Sequence, residues 1–124
     1  MPVRSSQDDF LLGQLQKVAE MIARALGFRG SGDLPAARKE IDNAYSTLLG
    51  QQFDLLRMLD PVSAARLIGH PKKVAAFARI TEADAALAAA MGNSKAEQHL
   101  TARATALADE AMKLEDSTRP SEET

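Results

Sequence analysis

Apolar residues recur at steps of three and four along most of the chain, and glycine, or proline behind a capping residue, breaks the runs apart. That spacing is the period of an α-helix, and no stretch alternates apolar and polar residues as a half-buried strand does. Leu11, Leu15, Val18, Ile22 and Ala25 make the first seam. It predicts a helix over residues 6–26, capped by Ser5 or Ser6, favoured by Asp8 and Asp9 in its first turn, and ended by Gly27. After a glycine-rich loop, Asp33 caps a second helix and Pro35 sits in its first turn. Its stripe is Leu34, Ala37, Ile41, Ala44 and Leu48, and Gly50 closes it.

The middle is more broken. Phe53, Leu55, Leu56 and Leu59 predict a short helix ending at Asp60. Asp60-Pro61 and His70-Pro71 each place a cap before a proline at the first helical position. The first pair starts a brief helix through Val62, Ala65 and Ile68, stopped by Gly69. The second starts a longer one reaching about Met91, with Val74, Phe77, Ile80, Leu87 and Met91 as its core positions. Gly92-Asn93-Ser94 is a further turn, and the last helix runs to about Glu115 with Ala96, Leu100, Ala104, Leu107, Ala111 and Leu114 on its buried face. Residues 117–124 carry no apolar side chain and read as a disordered tail.

The fold class expected is all-α: two antiparallel helical hairpins joined by short helices, in one domain over residues 1–116. A helix, a glycine turn and an alanine-rich helix occur around Gly32 and again around Gly92, a weak internal repeat. One hairpin cannot bury its own apolar face, so the two must stack.

Composition agrees. The chain is 45% hydrophobic but only 4% aromatic, with no tryptophan; a core of alanine, leucine and small aliphatics suits closely packed helices rather than sheets. Lacking cysteine, it has no disulfide, thiolate ligand or cysteine nucleophile, which fits a cytoplasmic setting. The polar, acidic N-terminal stretch holds no signal-peptide core, and no apolar run approaches the roughly 20 residues that span a bilayer. A net charge of -2 argues against nucleic acid as a default partner. The charge is uneven: Arg57, Arg66, Lys72, Lys73 and Arg79 crowd the middle, and the last third is acidic.

Gly32, Asp33, Ala37, Ile41 and Ala44 resemble the turn and second helix of a tetratricopeptide repeat. Gly92 and Asn93 fit the same turn, but Ala96 sits one residue early and Arg103 falls where a small residue is expected. The layout also resembles a small bacterial family of helical proteins of unknown function. The resemblance is carried by Asp9-Phe10-Leu11-Leu12, by the Ala-Arg-Ala-Leu-Gly segment at residues 23–27, and by Leu48-Leu49-Gly50. It implies a helical-hairpin fold and no activity.

Motifs for chemistry are sparse. His70 and His99 are the only histidines, and no Glu-x-x-His or His-Glu-x-x-His pattern surrounds them. A bundle metal site needs several convergent ligands, so these histidines read as capping or surface residues. No serine lies in Gly-x-Ser-x-Gly, and Gly27, Gly30 and Gly32 follow a helix in an order foreign to dinucleotide loops. No catalytic residue, metal or cofactor is expected.

The first functional reading is a non-enzymatic protein-interaction or self-association module. Its candidate contacts are apolar residues off the main stripes: Phe10, Leu12, Phe53, Leu56 and Phe77. Simple packing within the monomer is the bland account of each. The alternatives are a small-molecule or catalytic bundle in which Tyr45, His70 and Arg79 converge, and binding to an anionic surface or nucleic acid through Arg66, Lys72, Lys73 and Arg79. The expected partner is another protein or a second copy, with no membrane.

Overall fold

A computed structural model describes residues 6–118. They form α1 (Ser6–Gly30), α2 (Leu34–Leu49), a 3-10 turn (Gly50–Gln52), α3 (Phe53–Met58), α4 (Pro61–Ile68), α5 (Pro71–Ala90) and α6 (Ser94–Thr118). Among the described residues there is no strand, and no helix is long and apolar enough to cross a membrane. Helix α1 lies along α2 and α5 along α6, while α5 also packs on both α1 and α2, and α4 on α6. Helix α5 is therefore the central element, touched on both flanks.

The two pairs are joined by the same turn. In the first, the Asp33 N–H donates to Phe28 O at 2.9 Å and the Gly32 N–H to Arg29 O at 3.1 Å. In the second, the Asn93 N–H donates to Ala88 O at 2.9 Å and the Gly92 N–H to Ala89 O at 3.0 Å. This double closure is the Schellman motif, and it needs a left-handed residue at its hinge; Gly32 and Gly92 supply it with φ of 87° and 76°. The next residue then caps the following helix: Asp33 Oδ1 accepts from the Ala36 N–H at 3.2 Å, and Asn93 Oδ1 from the Ala96 N–H at 3.1 Å. The repeat seen in the sequence is thus a repeat of turn chemistry.

The short helices start as their sequences predict. Asp60 accepts from the Ser63 N–H at 3.1 Å ahead of Pro61. His70 Nδ1 accepts from the Lys72 N–H at 3.2 Å ahead of Pro71. The core joins Val18 and Ala25 of α1, Ala37, Ile41, Ala44 and Leu48 of α2, Leu56 of α3, Val74, Phe77, Ile80 and Leu87 of α5, and Leu107 and Ala111 of α6.

Some expectations need correction. Helix α1 does not end at Gly27; it continues to Gly30, because Phe28 still packs against the core and the closing bonds form only at Gly32 and Asp33. The last helix extends past Glu115 to Thr118, so Ser117 and Thr118 belong to α6 rather than to a tail, and Ser117 Oγ donates to Leu114 O at 3.1 Å. Residues 119–124 of the expected tail, and Ser5 as a cap, lie outside the described residues. Met91 is 59% exposed: it is the cap residue beyond the end of α5, where the chain already turns away. Leu55 and Val62 are exposed as well, since α3 and α4 are too short to bury more than one face.

Candidate functional site

Helix α5 has two unlike sides. Ala75, Arg79, Glu82 and Ala86 follow one another at helical steps on one of them; Phe77, Thr81, Asp84 and Ala88 do so on the other.

On the first side a groove of about 530 Å3 runs between α1 and α5. Leu15, Val18 and Ile22 of α1 and Ala76 and Ala83 of α5 line it. Ala19, Ala23, Leu26 and Ala75 are exposed along its length. Its charged groups are Lys72, Arg79 and Glu82, all on α5. A second groove of about 650 Å3 lies between α5 and α6 and shares Lys72, Ala75, Arg79 and Glu82. The exposed face of α5 is thus a ridge with an apolar trough on each side. Small side chains make both troughs, because alanine lets neighbouring helices approach without filling the space above their seam.

On the second side, a polar cluster sits among α2, α3, α5 and α6. Asp84 is buried at 9% exposure. Its Oδ1 accepts from Arg38 Nη1 at 2.8 Å and its Oδ2 from Tyr45 Oη at 2.7 Å. Arg38 also donates to Asp42 Oδ1, through Nε at 3.1 Å and Nη2 at 2.8 Å. Thr81 Oγ1 donates to Phe77 O at 2.8 Å. Arg103 donates to Leu59 O at 2.7 Å and Leu56 O at 2.8 Å, closing the open carbonyl end of α3. Among the described residues no buried side-chain polar atom lacks a partner. The Tyr45 ring stacks on Phe53 with centroids 4.7 Å apart and meets the edge of Phe77 at 6.2 Å. Arg57 lies over Phe53 and Arg103 over Phe77. The cleft above this cluster encloses about 500 Å3.

Burial, and then the charge and hydrogen bond of Asp84, push the Tyr45 hydroxyl well above its ordinary value. Burial works against the charge of Arg38, but its bonds to Asp84 and Asp42 outweigh it and raise that guanidinium. Arg103 is lowered, chiefly by burial. For Tyr45 the folded value lies above the unfolded value of about 10. Below pH 10 both states keep the proton and the Tyr45–Asp84 bond contributes fully. Above it the unfolded chain ionises first, and stability falls by up to about 1.4 kcal/mol per pH unit. We expect urea midpoints to drop between pH 9.5 and pH 11 in the natural chain, and Tyr45→Phe to lose this part of the slope. A drop of equal steepness in the variant would assign it to other groups.

The residues singled out in the sequence divide between these places. Phe10 is 70% and Leu12 38% exposed near the start of α1, so both are available to a partner. Phe53 is half-buried against Tyr45. Leu56 and Phe77 are each 1% exposed and are withdrawn from any docking surface, because α3 and α5 turn them into the core. Of the basic group, Arg66 on α4 and Lys72 and Arg79 on α5 are exposed, and Lys73 is half-buried; Lys72 and Arg79 flank both grooves. Tyr45, His70 and Arg79 do not converge: Tyr45 lies in the polar cleft, His70 caps α5, and Arg79 faces the grooves. His99 is exposed at the rim of the polar cleft. No group of three metal-ligating side chains gathers among the described residues.

Arg38, Arg57 and Arg103 are the functional candidates that pattern reading passed over, together with the role of Asp84. Asp84 and Arg103 left a trace: Asp84 is the one charge in the alanine-rich segment Ala83 to Met91, and Arg103 stands where the repeat pattern wants a small residue. Comparison with models of protein families, with curated proteins and with solved structures finds no match for this chain.

Proposed function

We propose that the chain is a non-enzymatic helical interaction module, in the style of tetratricopeptide hairpins, that seats an amphipathic helix of a partner protein in the groove between α1 and α5. The observation that carries this reading is the character of that groove. Its walls are aliphatic, its exposed apolar positions are mostly alanine, and a helix backbone can therefore approach closely. Two of its three charged side chains, Lys72 and Arg79, are basic, which favours a partner whose apolar stripe is flanked by carboxylates. Support for the hairpin style comes from Ala37, Ile41 and Ala44, which are buried, and from the matching turns at Gly32 and Gly92. A cytoplasmic, bacterial setting belongs to the same reading.

The test is direct binding of a synthetic helix with leucines at helical spacing and glutamates on both flanks, followed by fluorescence anisotropy. Ala19→Glu and Ala75→Glu each place a long side chain of the probe's own charge in the groove at an exposed position. They are expected to weaken binding about tenfold, near 1.4 kcal/mol, without lowering the melting temperature. Ala89→Glu, exposed on α5 but away from the groove, is expected to change nothing. Equal binding by all three variants would refute the groove. A dimeric mass in light scattering that Ala75→Glu converts to monomer would make the occupant a second copy instead.

A further inference from the structure

We infer that the polar cleft between α3 and α6 is a binding site for a small molecule bearing a phosphate group, held between the guanidiniums of Arg57 and Arg103. The three arginines of the cleft are in different states. Arg38 is paired with Asp42 and Asp84. Neither Arg57 nor Arg103 has a carboxylate within ion-pair reach among the described residues, and each instead lies over a phenyl ring. A guanidinium has five N–H donors. Arg103 directs two of its Nη–H groups to the carbonyls of Leu56 and Leu59, which leaves others for a ligand.

Those two bonds also place Arg103 at the end of α3, the helix that carries Arg57, so both cations line the same cleft. Burial already lowers Arg103, and the charges of Tyr45 and Asp60 offset only part of that loss of water. Three guanidiniums face two carboxylates around the cleft, and both oxygens of Asp84 are engaged by Arg38 and Tyr45. Among the side chains that line the cleft the excess is positive, and its two unpaired members, Arg57 and Arg103, stand on α3 and α6.

Phosphate is favoured over carboxylate by geometry. The two forks belong to different helices, and a tetrahedral oxyanion presents oxygens in more than one plane, whereas a single carboxylate matches one fork. A cleft of about 500 Å3 is larger than phosphate alone. It leaves room for an organic body against Phe53, Leu100 and Met91, which also line it.

Calorimetric titration with inorganic pyrophosphate at physiological ionic strength tests the assignment. Emission from Tyr45, the only tyrosine in a chain without tryptophan, locates the binding in the cleft. The expected result is saturable, one-site binding that Arg57→Gln weakens about tenfold or more, with the melting temperature kept because Arg57 is exposed. Arg79→Gln, on the opposite side of α5, is expected to bind as the natural chain does. Arg103→Gln is read in parallel, and since it also opens the end of α3, Arg57→Gln decides the matter if that variant fails to fold. No saturable heat at millimolar pyrophosphate, or equal affinity in Arg57→Gln, overturns the site. Binding of citrate with none of pyrophosphate overturns the phosphate assignment.

Discussion

Replacing Phe77 by alanine is expected to lower the free energy of unfolding by about 3–5 kcal/mol, read from urea unfolding followed by circular dichroism. Phe77 is among the largest fully buried side chains, at 1% exposure. It stands on α5, the helix that touches both α1 and α2 on one flank and α6 on the other. Its ring meets Tyr45 edge-on and lies under Arg103, so truncation removes aromatic and cation–π contacts as well as apolar area. A domain of ordinary stability holds about 5–15 kcal/mol in total, and the variant is expected to unfold partly at physiological temperature. A loss below about 1 kcal/mol would mean that the surrounding helices collapse into the space, and that Phe77 does not anchor the packing around α5.

The second large effect is expected at Asp84. Asp84→Ala leaves the Tyr45 hydroxyl buried with no acceptor and takes one of the two carboxylates from Arg38. Arg38 keeps Asp42, so most of the penalty falls on Tyr45, and a loss of about 2–3 kcal/mol is expected. Tyr45→Phe alone removes the donor and is milder, because the carboxylate keeps Arg38. The two changes together are expected to cost less than their sum: once Asp84 is gone, a phenyl ring suits the site better than an orphaned phenol. A double-mutant cycle should return a coupling of about 1–2 kcal/mol between the two positions. Strict additivity would show that the 2.7 Å bond between Tyr45 and Asp84 contributes nothing net to the folded state.

Much of the helical layout was legible because helix starts and stops are local. Asp33, Asp60, His70 and Asn93 each announce themselves by residue type and by the proline or glycine beside them, and each accepts a backbone N–H as that chemistry requires. Where the reading went astray, the deciding contact lay elsewhere in the chain. Gly27 resembles a stop, yet Phe28 beyond it finds the core and draws α1 onward. Met91 continues the apolar period of α5 but falls in the turn that Gly92 closes. Phe77 reads both as a core position of α5 and as a candidate contact, and the core claims it, because α5 is buried on more than one side; Leu56 of α3 is likewise taken by the core.

The polar cleft was hidden for the same reason. Arg38 and Asp84 are 46 residues apart and Arg103 reaches back 44 residues to Leu59, and no periodicity along the chain joins such positions. What the sequence did offer was misfit: a carboxylate amid alanines at Asp84, and an arginine at 103 in place of a small residue. Each misfit marks a side chain answering to a distant element rather than to its own helix. The groove is subtler still, since Ala19, Ala23 and Ala75 look like routine helix formers until α1 and α5 are seen to leave the space above them open.

The claim that the groove between α1 and α5 is where a partner helix docks is tested most directly by mapping the alanine methyl groups. With alanine methyls labelled, a nuclear magnetic resonance titration with the glutamate-flanked leucine helix should shift Ala19, Ala23, Ala75 and Ala76. It should leave Ala96 in the polar cleft and Ala44 in the core unmoved. Shifts confined to Ala96 and its neighbours in the cleft, or no shift in Ala19 and Ala75 at saturating peptide, would contradict it.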